Sequence, residues 1–221
     1  MNGGATAALL VSLKVAFWAT LAILPPGVFL GLLLARRRFP GRSIVETLVA
    51  LPLVLPPTAV GYLLLRLLSR DGLLGEGILG LDLLFTWKGA VVASSIMALP
   101  LVARTARIAF EQVDPRLEAM GRTLGLGPVR TFFTITAPLA RRGLTAAGIL
   151  GFSRALGEFG ATVMVAGNIP GKTQTLALAI FSDMQAGAEQ DAMVLLGLTV
   201  ALAFAAIWSV EMLTRGDGSR G

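Results

Sequence analysis

Cysteine and histidine are both absent from the 221 residues of this chain. Without cysteine there is no disulfide framework, and without either residue thiol catalysis, imidazole catalysis and the usual zinc-ligand sets are excluded. Charge is scarce as well: 14% of residues are Asp, Glu, Lys or Arg, where an average soluble domain has about 25%. The sequence shows no internal repeat, low-complexity linker or soluble module. The N-terminus has no basic stretch before its apolar run, and that run is too long for a secretory signal.

What is abundant is apolar residue, at 55% of the chain, and it is bunched. Uncharged runs cover Val15–Leu34, Thr47–Leu65, Gly89–Ala103 and Ala192–Val210. A hydrocarbon core about 30 Å thick is crossed by roughly 20 helical residues, so runs of this length predict membrane spans surrounded by lipid. The net charge of +6 could point to nucleic acid, but the cations stand at the ends of the apolar runs. There they act as topology signals, and no nucleic-acid partner is expected.

The pattern predicts an all-α integral membrane protein with about five transmembrane helices, near residues 8–34, 44–68, 85–108, 139–165 and 192–213, in one membrane domain over 1–221. A polar loop with Arg70, Asp71, Glu76 and Asp82 separates the second and third helices. The apolar piece Thr173–Ser182 is too short to span. With the N-terminus outside, thirteen Lys and Arg residues fall on inner segments and five on outer ones, with Arg154 inside the membrane. The positive-inside rule therefore predicts an outer N-terminus and a cytoplasmic C-terminus.

The inner loop at about 110–138 contains Asp114 to Pro138, DPRLEAMGRTLGLGPVRTFFTITAP. Asp114 is suited to an N-cap, Pro115 to the first helical position and Gly125 to the residue past the helix end. Glu118 and Arg122 stand at i,i+4 and can pair. Gly127-Pro128 starts a second helix. The residues describe a rigid helix of about ten residues on the inner face, either a joint between spans or a docking element.

In the fourth predicted span, Arg154 and Glu158 also stand four apart. Ionisable groups at membrane depth cost roughly 2.5–3.5 kcal/mol each and face a bundle interior or a watery cavity. The pair either lines a path or locks helices together. Pro25-Pro26-Gly27 in the first span and Pro52, Pro56 and Pro57 in the second remove backbone donors, giving gating kinks or packing bends. Gly27 and Gly31 would permit close helix approach. Ala166–Thr173 satisfies a relaxed phosphate-loop pattern, but it follows a span, without the strand-to-helix setting that nucleotide binding needs.

Several of these motifs resemble those of permease subunits of binding-protein-dependent ABC importers, a resemblance that covers most of the chain. That family carries E-A-A, three residues, G, nine residues, then I-x-L-P. Here Gly125, Ile135 and Pro138 hold the spacing, with Ala119, Met120 and Gly121 at the E-A-A places and Glu118 one position early. Ser153-Arg154-x-Leu-Gly-Glu158-Phe159-Gly160, followed by Gly167-Asn168-Ile169, is similar to molybdate and sulfate permeases. Leu51–Pro57 with Val60-Gly61-Tyr62, and Arg122–Gly125 leading into Phe132–Thr136, resemble the molybdate type more closely.

The resemblance implies an importer permease of the MetI-like type in a bacterial inner membrane, passing molybdate or tungstate. Glu118, Ala119, Arg122, Gly125, Ile135 and Pro138 would then form the ATPase-coupling loop, and Pro56, Pro57, Arg154, Glu158 and Phe159 are candidates for the path or gate. It implies a homodimer with two cytoplasmic ABC ATPase subunits and an external oxyanion-binding protein. This chain would bind no cofactor, since ATP and magnesium would sit on the ATPase. The alternatives are a sulfate or thiosulfate permease, an ion-coupled secondary transporter, for which the inverted repeats are missing, and an intramembrane enzyme, for which a second membrane carboxylate is missing.

Overall fold

The computed structural model describes residues 3–69, 72 and 82–215. Arg70, Asp71 and Glu76 of the polar loop, and Arg220 of the basic tail, lie outside the described residues.

Ten α-helices account for most of the described chain: α1 Gly3–Arg36, α2 Arg42–Val54, α3 Pro57–Leu68, α4 Trp87–Glu111, α5 Pro115–Thr123, α6 Pro128–Thr131, α7 Ala137–Leu156, α8 Gly160–Ala166, α9 Leu176–Gln185 and α10 Glu189–Arg215. A π-type turn, Phe132–Thr136, joins α6 to α7. Among the described residues α1, α4 and α10 are each long and apolar enough to cross a bilayer, and there are up to five spans if each bent pair, α2 with α3 and the α6–α7 helix with α8, counts as one.

The centre is the crossing of α1, α4 and α7. Its buried residues are small: Ala16, Ala19, Ala98, Ala106, Ala109 and Ala147, with Val102 and Phe110 among them. A Cβ on Gly27 would stand 2.7 Å from Val102 Cγ1, and one on Gly31 would stand 2.8 Å from both Ala106 Cβ and the Arg107 backbone nitrogen. From the other side, a Cβ on Gly151 would lie 2.6 Å from Val102 Cγ2. The Gly27/Gly31 spacing thus serves helix approach, since only glycine lets backbones come this close. Pro25 and Pro26 are absorbed within α1, which runs unbroken through them.

The second predicted span is two helices instead of one. Leu55 is extended (φ −69°, ψ 143°), as is Pro56 (ψ 131°), and α2 and α3 meet at 110°. The cause is local: a proline drives the preceding residue out of the α region, and here two act in succession. The fourth span differs at both ends. Helical structure begins at Pro128, ahead of the expected start near residue 139. Pro138 is tolerated because the π-type turn has already offset the hydrogen-bond ladder where its missing N–H would fall. At Gly157–Phe159 the helix bends by 63° into α8.

The half-helices α3 and α8 pack on each other through Gly61 and Gly160, over a second core that includes Val60, Leu64, Met97, Ala161 and Val165. Helix α2 buries none of its residues. A chain of ion pairs fastens it to α4: Arg42 with Glu46 (2.9 Å), Glu46 with Arg107 (2.9 Å) and Arg107 with Glu111 (2.7 Å). At the opposite end of α1, Ser12 Oγ accepts the Leu176 N–H (2.7 Å), and Lys14 lies 3.8 Å over the Trp87 ring.

Candidate functional site

Two places gather the residues singled out in the sequence. The first is α5. Asp114 Oδ1 accepts the Arg116 N–H at 2.8 Å, satisfying an orphan donor of the first turn, and Pro115 occupies the first helical position. The far end closes as a Schellman motif. Gly125 takes φ +83°, its N–H bonds the Arg122 carbonyl (3.0 Å), and the Leu126 N–H bonds the Gly121 carbonyl (3.0 Å). Both ends of this nine-residue helix are thereby fixed by their own sequence.

What moors α5 was not expected. The Glu118 carboxylate turns away from Arg122 and meets Arg36 at the end of α1, with Oε1 2.9 Å from Nη2 and 3.1 Å from Nε. Thr136 Oγ1 donates to the same oxygen at 2.9 Å. Arg36 also donates to the Val113 carbonyl (2.9 Å). Arg122 is left to donate to the Glu118 backbone carbonyl at 3.4 Å. The partly buried Arg36 offers a planar fork and a second acceptor at Val113, which a solvated i,i+4 partner cannot match. Ile135 adds an apolar anchor, its Cδ1 2.6 Å from where a Cβ on Gly121 would stand. Glu118, Ile135 and Gly121 therefore join α5 to α1 and to the π-type turn. Gly125 closes the helix, while Ala119 lies along it and Pro138 opens α7. Leu117, Met120 and Leu124 of α5 are exposed, as are Val129 of α6 and Phe133 of the π-type turn.

The second place is the meeting of the two broken spans. A Cβ on Gly160 would stand 2.8 Å from Pro57 Cβ, so the breaks at Pro56-Pro57 and Gly157–Phe159 lie side by side. Arg154 Nη1 donates to Glu158 Oε2 at 2.7 Å, and Glu158 Oε1 accepts the Ala161 N–H at 2.9 Å. Glu158 thus caps α8 while pairing with α7. It is 2% exposed, whereas the Arg154 side chain is 29% exposed. Phe159 packs against Phe181 of α9, ring centres 5.1 Å apart. Pro56, Pro57, Arg154, Glu158 and Phe159 are therefore neighbours at one break in the bundle. This pairing gives a fixed carboxylate and a cation with a free face.

The Ala166–Thr173 segment forms a turn in which Thr173 Oγ1 accepts the Ile169 N–H, and no strand leads into it among the described residues. No group of three or more Asp and Glu side chains is placed to hold a metal ion among the described residues. Sequence reasoning missed Arg36 and Thr136. Arg36 was visible only as one of a basic run, with nothing to tell it from Arg37 or Arg38.

Comparison with known proteins is consistent across sequence and structure. The family described as "Binding-protein-dependent transport system inner membrane component" matches residues 27–215. The molybdenum transport system permease protein ModB of Escherichia coli K12 is 45% identical over 212 residues, covering 94% of this chain and 93% of that protein. The sulfate transport system permease protein CysT of Salmonella typhimurium is 33% identical, covering 99% of this chain and 80% of that protein. Among solved structures, the MetNI methionine ABC transporter in an inward-facing form superimposes with a TM-score of 0.65 at 19% identity, covering 96% of this chain and 95% of that one.

Proposed function

Because this chain belongs to the family of binding-protein-dependent transport system inner membrane components, we propose that it is the multi-pass permease subunit of an ATP-driven importer whose cargo is molybdate. The observation that carries the transport reading is the mooring of α5: a helix capped at both ends, tied by Glu118 to α1 and to Thr136, with an apolar face left open. A partner that moves this helix moves α1 with it, and α1 packs by backbone contact against α4. Small displacements applied to such a rigid element are passed to a packed bundle with two discrete arrangements. The cargo assignment rests on 45% identity to a molybdenum permease against 33% to a sulfate permease.

The working unit on this reading has two copies of this chain, two cytoplasmic ATPase subunits that bind ATP and magnesium, and an external oxyanion-binding protein. The unburied α2 and the exposed Tyr62 and Leu63 of α3 offer the apolar surface for the second copy. The ATPase takes Leu117, Met120 and Leu124 of α5. The chain lies in a bacterial inner membrane with its N-terminus outside, the orientation that puts the basic ends of α1 and α4, together with α5, in the cytoplasm. Arg154, at the meeting of the broken spans, is the cation nearest the path.

The test is uptake into vesicles holding this chain, its ATPase and its binding protein. ATP-dependent molybdate uptake that is blocked by tungstate and unaffected by equimolar sulfate is expected. Strong competition by sulfate would move the cargo to sulfate, and uptake without the ATPase would overturn the ATP-driven reading.

A further inference from the structure

A cavity of about 370 Å³ opens between the end of α1, α5 and the start of α6. Its wall changes character along α1. Phe29, Leu32 and Leu33 line one part, joined by Phe132; Arg36 and Arg37 line the other, joined by Arg122 of α5. From Phe29 to Arg36, the last residue of α1, the helix axis advances about 10 Å at 1.5 Å per residue. The apolar part therefore lies deeper along the span, and the cationic part lies at its end. Glu118 also lines the cavity, but Arg36 and Thr136 already hold its carboxylate. Neither Arg37 nor Arg122 meets a carboxylate among the described residues. Two positive charges thus face the cavity without a counter-ion.

We propose that this cavity is a binding site for an anionic phospholipid, with its phosphate between Arg37 and Arg122 and an acyl chain along Phe29 and Leu33. Guanidinium forks match phosphate oxygens, and basic pockets between membrane helices attract anionic headgroups. Free phosphate would satisfy the cations and leave the apolar half of the wall against water. A zwitterionic lipid would bring its own cation to a site that already has two. The amphipathic lining fits a molecule that is apolar at one end and anionic at the other. Seated there, the lipid lies against the moored face of α5, opposite the exposed Met120 and Leu124.

The site is tested by lipid retention, which is read without transport, so its outcome and that of the uptake assay are separate. The purified chain is exchanged into nanodiscs of phosphatidylglycerol and phosphatidylcholine, and the lipids that stay bound on release are counted by native mass spectrometry. The unmodified chain is expected to retain phosphatidylglycerol preferentially. Arg37→Gln with Arg122→Gln should lower that retention roughly tenfold or more, from the known attraction per basic residue near anionic lipid. Leu33→Trp, which fills the apolar half and keeps both cations, should lower it too. Arg38→Gln with Arg130→Gln removes two exposed cations outside the cavity and should change it less than about twofold. Equal loss in both double variants, no lipid preference in the unmodified chain, or displacement of the lipid by equimolar inorganic phosphate would each overturn the proposal.

Discussion

The Arg154–Glu158 pair makes a prediction that depends on which partner is removed. Glu158 is almost wholly buried, 2% exposed, and uses both oxygens: Oε2 for Arg154 and Oε1 for the Ala161 N–H that begins α8. Glu158→Gln keeps an oxygen for Ala161 and loses the ionic bond. Hydrogen bonds to charged groups contribute about 1.5–3 kcal/mol, and the released Arg154, 29% exposed, can turn towards water. A loss near the low end, about 1.5 kcal/mol, is expected. Arg154→Ala leaves a buried carboxylate with a single backbone donor. Removing one member of a buried pair costs about 3–5 kcal/mol, and about 3 kcal/mol is expected here because the helix start keeps part of the compensation. Arg154→Leu with Glu158→Leu leaves no charge unpaired but takes the acceptor from the Ala161 N–H, so it should cost about 1 kcal/mol relative to the unmodified chain, the loss of a helix cap.

Thermal unfolding in detergent micelles, followed by circular dichroism, measures the order. The expected ranking is Arg154→Ala worst, Glu158→Gln next and the double leucine variant closest to the parent. If Glu158→Gln costs as much as Arg154→Ala, the assignment of the buried and exposed partners is wrong. If the double variant costs more than either single change, the pair is not the local lock drawn from its geometry.

Three other outcomes follow from the packing and the caps. Gly31→Val must push α1 from α4, since its Cβ would stand 2.8 Å from backbone and from Ala106; a loss of about 1–3 kcal/mol is expected on the same unfolding scale, and Gly4→Val, which meets nothing within 4 Å, should change little. Gly125→Val meets no neighbour but must adopt φ +83°, at about 1–2 kcal/mol; less ATPase should co-purify with it than with Gly125→Asn, which tolerates that conformation. Glu118→Gln keeps an acceptor for Thr136 and loses the Arg36 ion pair, so ATP hydrolysis by the reconstituted complex should persist while molybdate uptake falls several-fold; unchanged uptake would remove the mooring from the transmission path.

What could be read from the sequence was what acts within about four residues. Asp114, Pro115 and Gly125 announce their helix because caps and left-handed stops are local events. The spacing of Arg154 and Glu158 was enough to foresee their pairing, because both lie on one helical face. Glu118 shows the limit. Its local partner Arg122 was in register, yet Arg36, 82 residues away, holds it instead. That choice depends on where α1 ends relative to α5, which is a property of the whole bundle. The breaks were half legible. Pro56-Pro57 marked a kink, but a turn of 110° and the seating of Pro57 against Gly160 needed α8 in place. The apolar runs gave the spans that composition demands, while the continuity from Pro128 into α7 was hidden by charges that sit harmlessly near the helix start.

The crossing of α1, α4 and α7 also bears on how such a chain can change through descent. It is built of alanines such as Ala16, Ala98, Ala106 and Ala147 and of the glycines that face them. Residues this small have almost nothing smaller to become, so nearly every substitution there adds atoms against a neighbouring backbone. Helix α10 is in the opposite position: Val194, Val200, Phe204 and Ile207 are exposed, and any apolar side chain suits the lipid they meet. Lineages carrying this fold should therefore diverge from the lipid-facing side inward, with α10 recording elapsed time while the crossing keeps nearly the same residues.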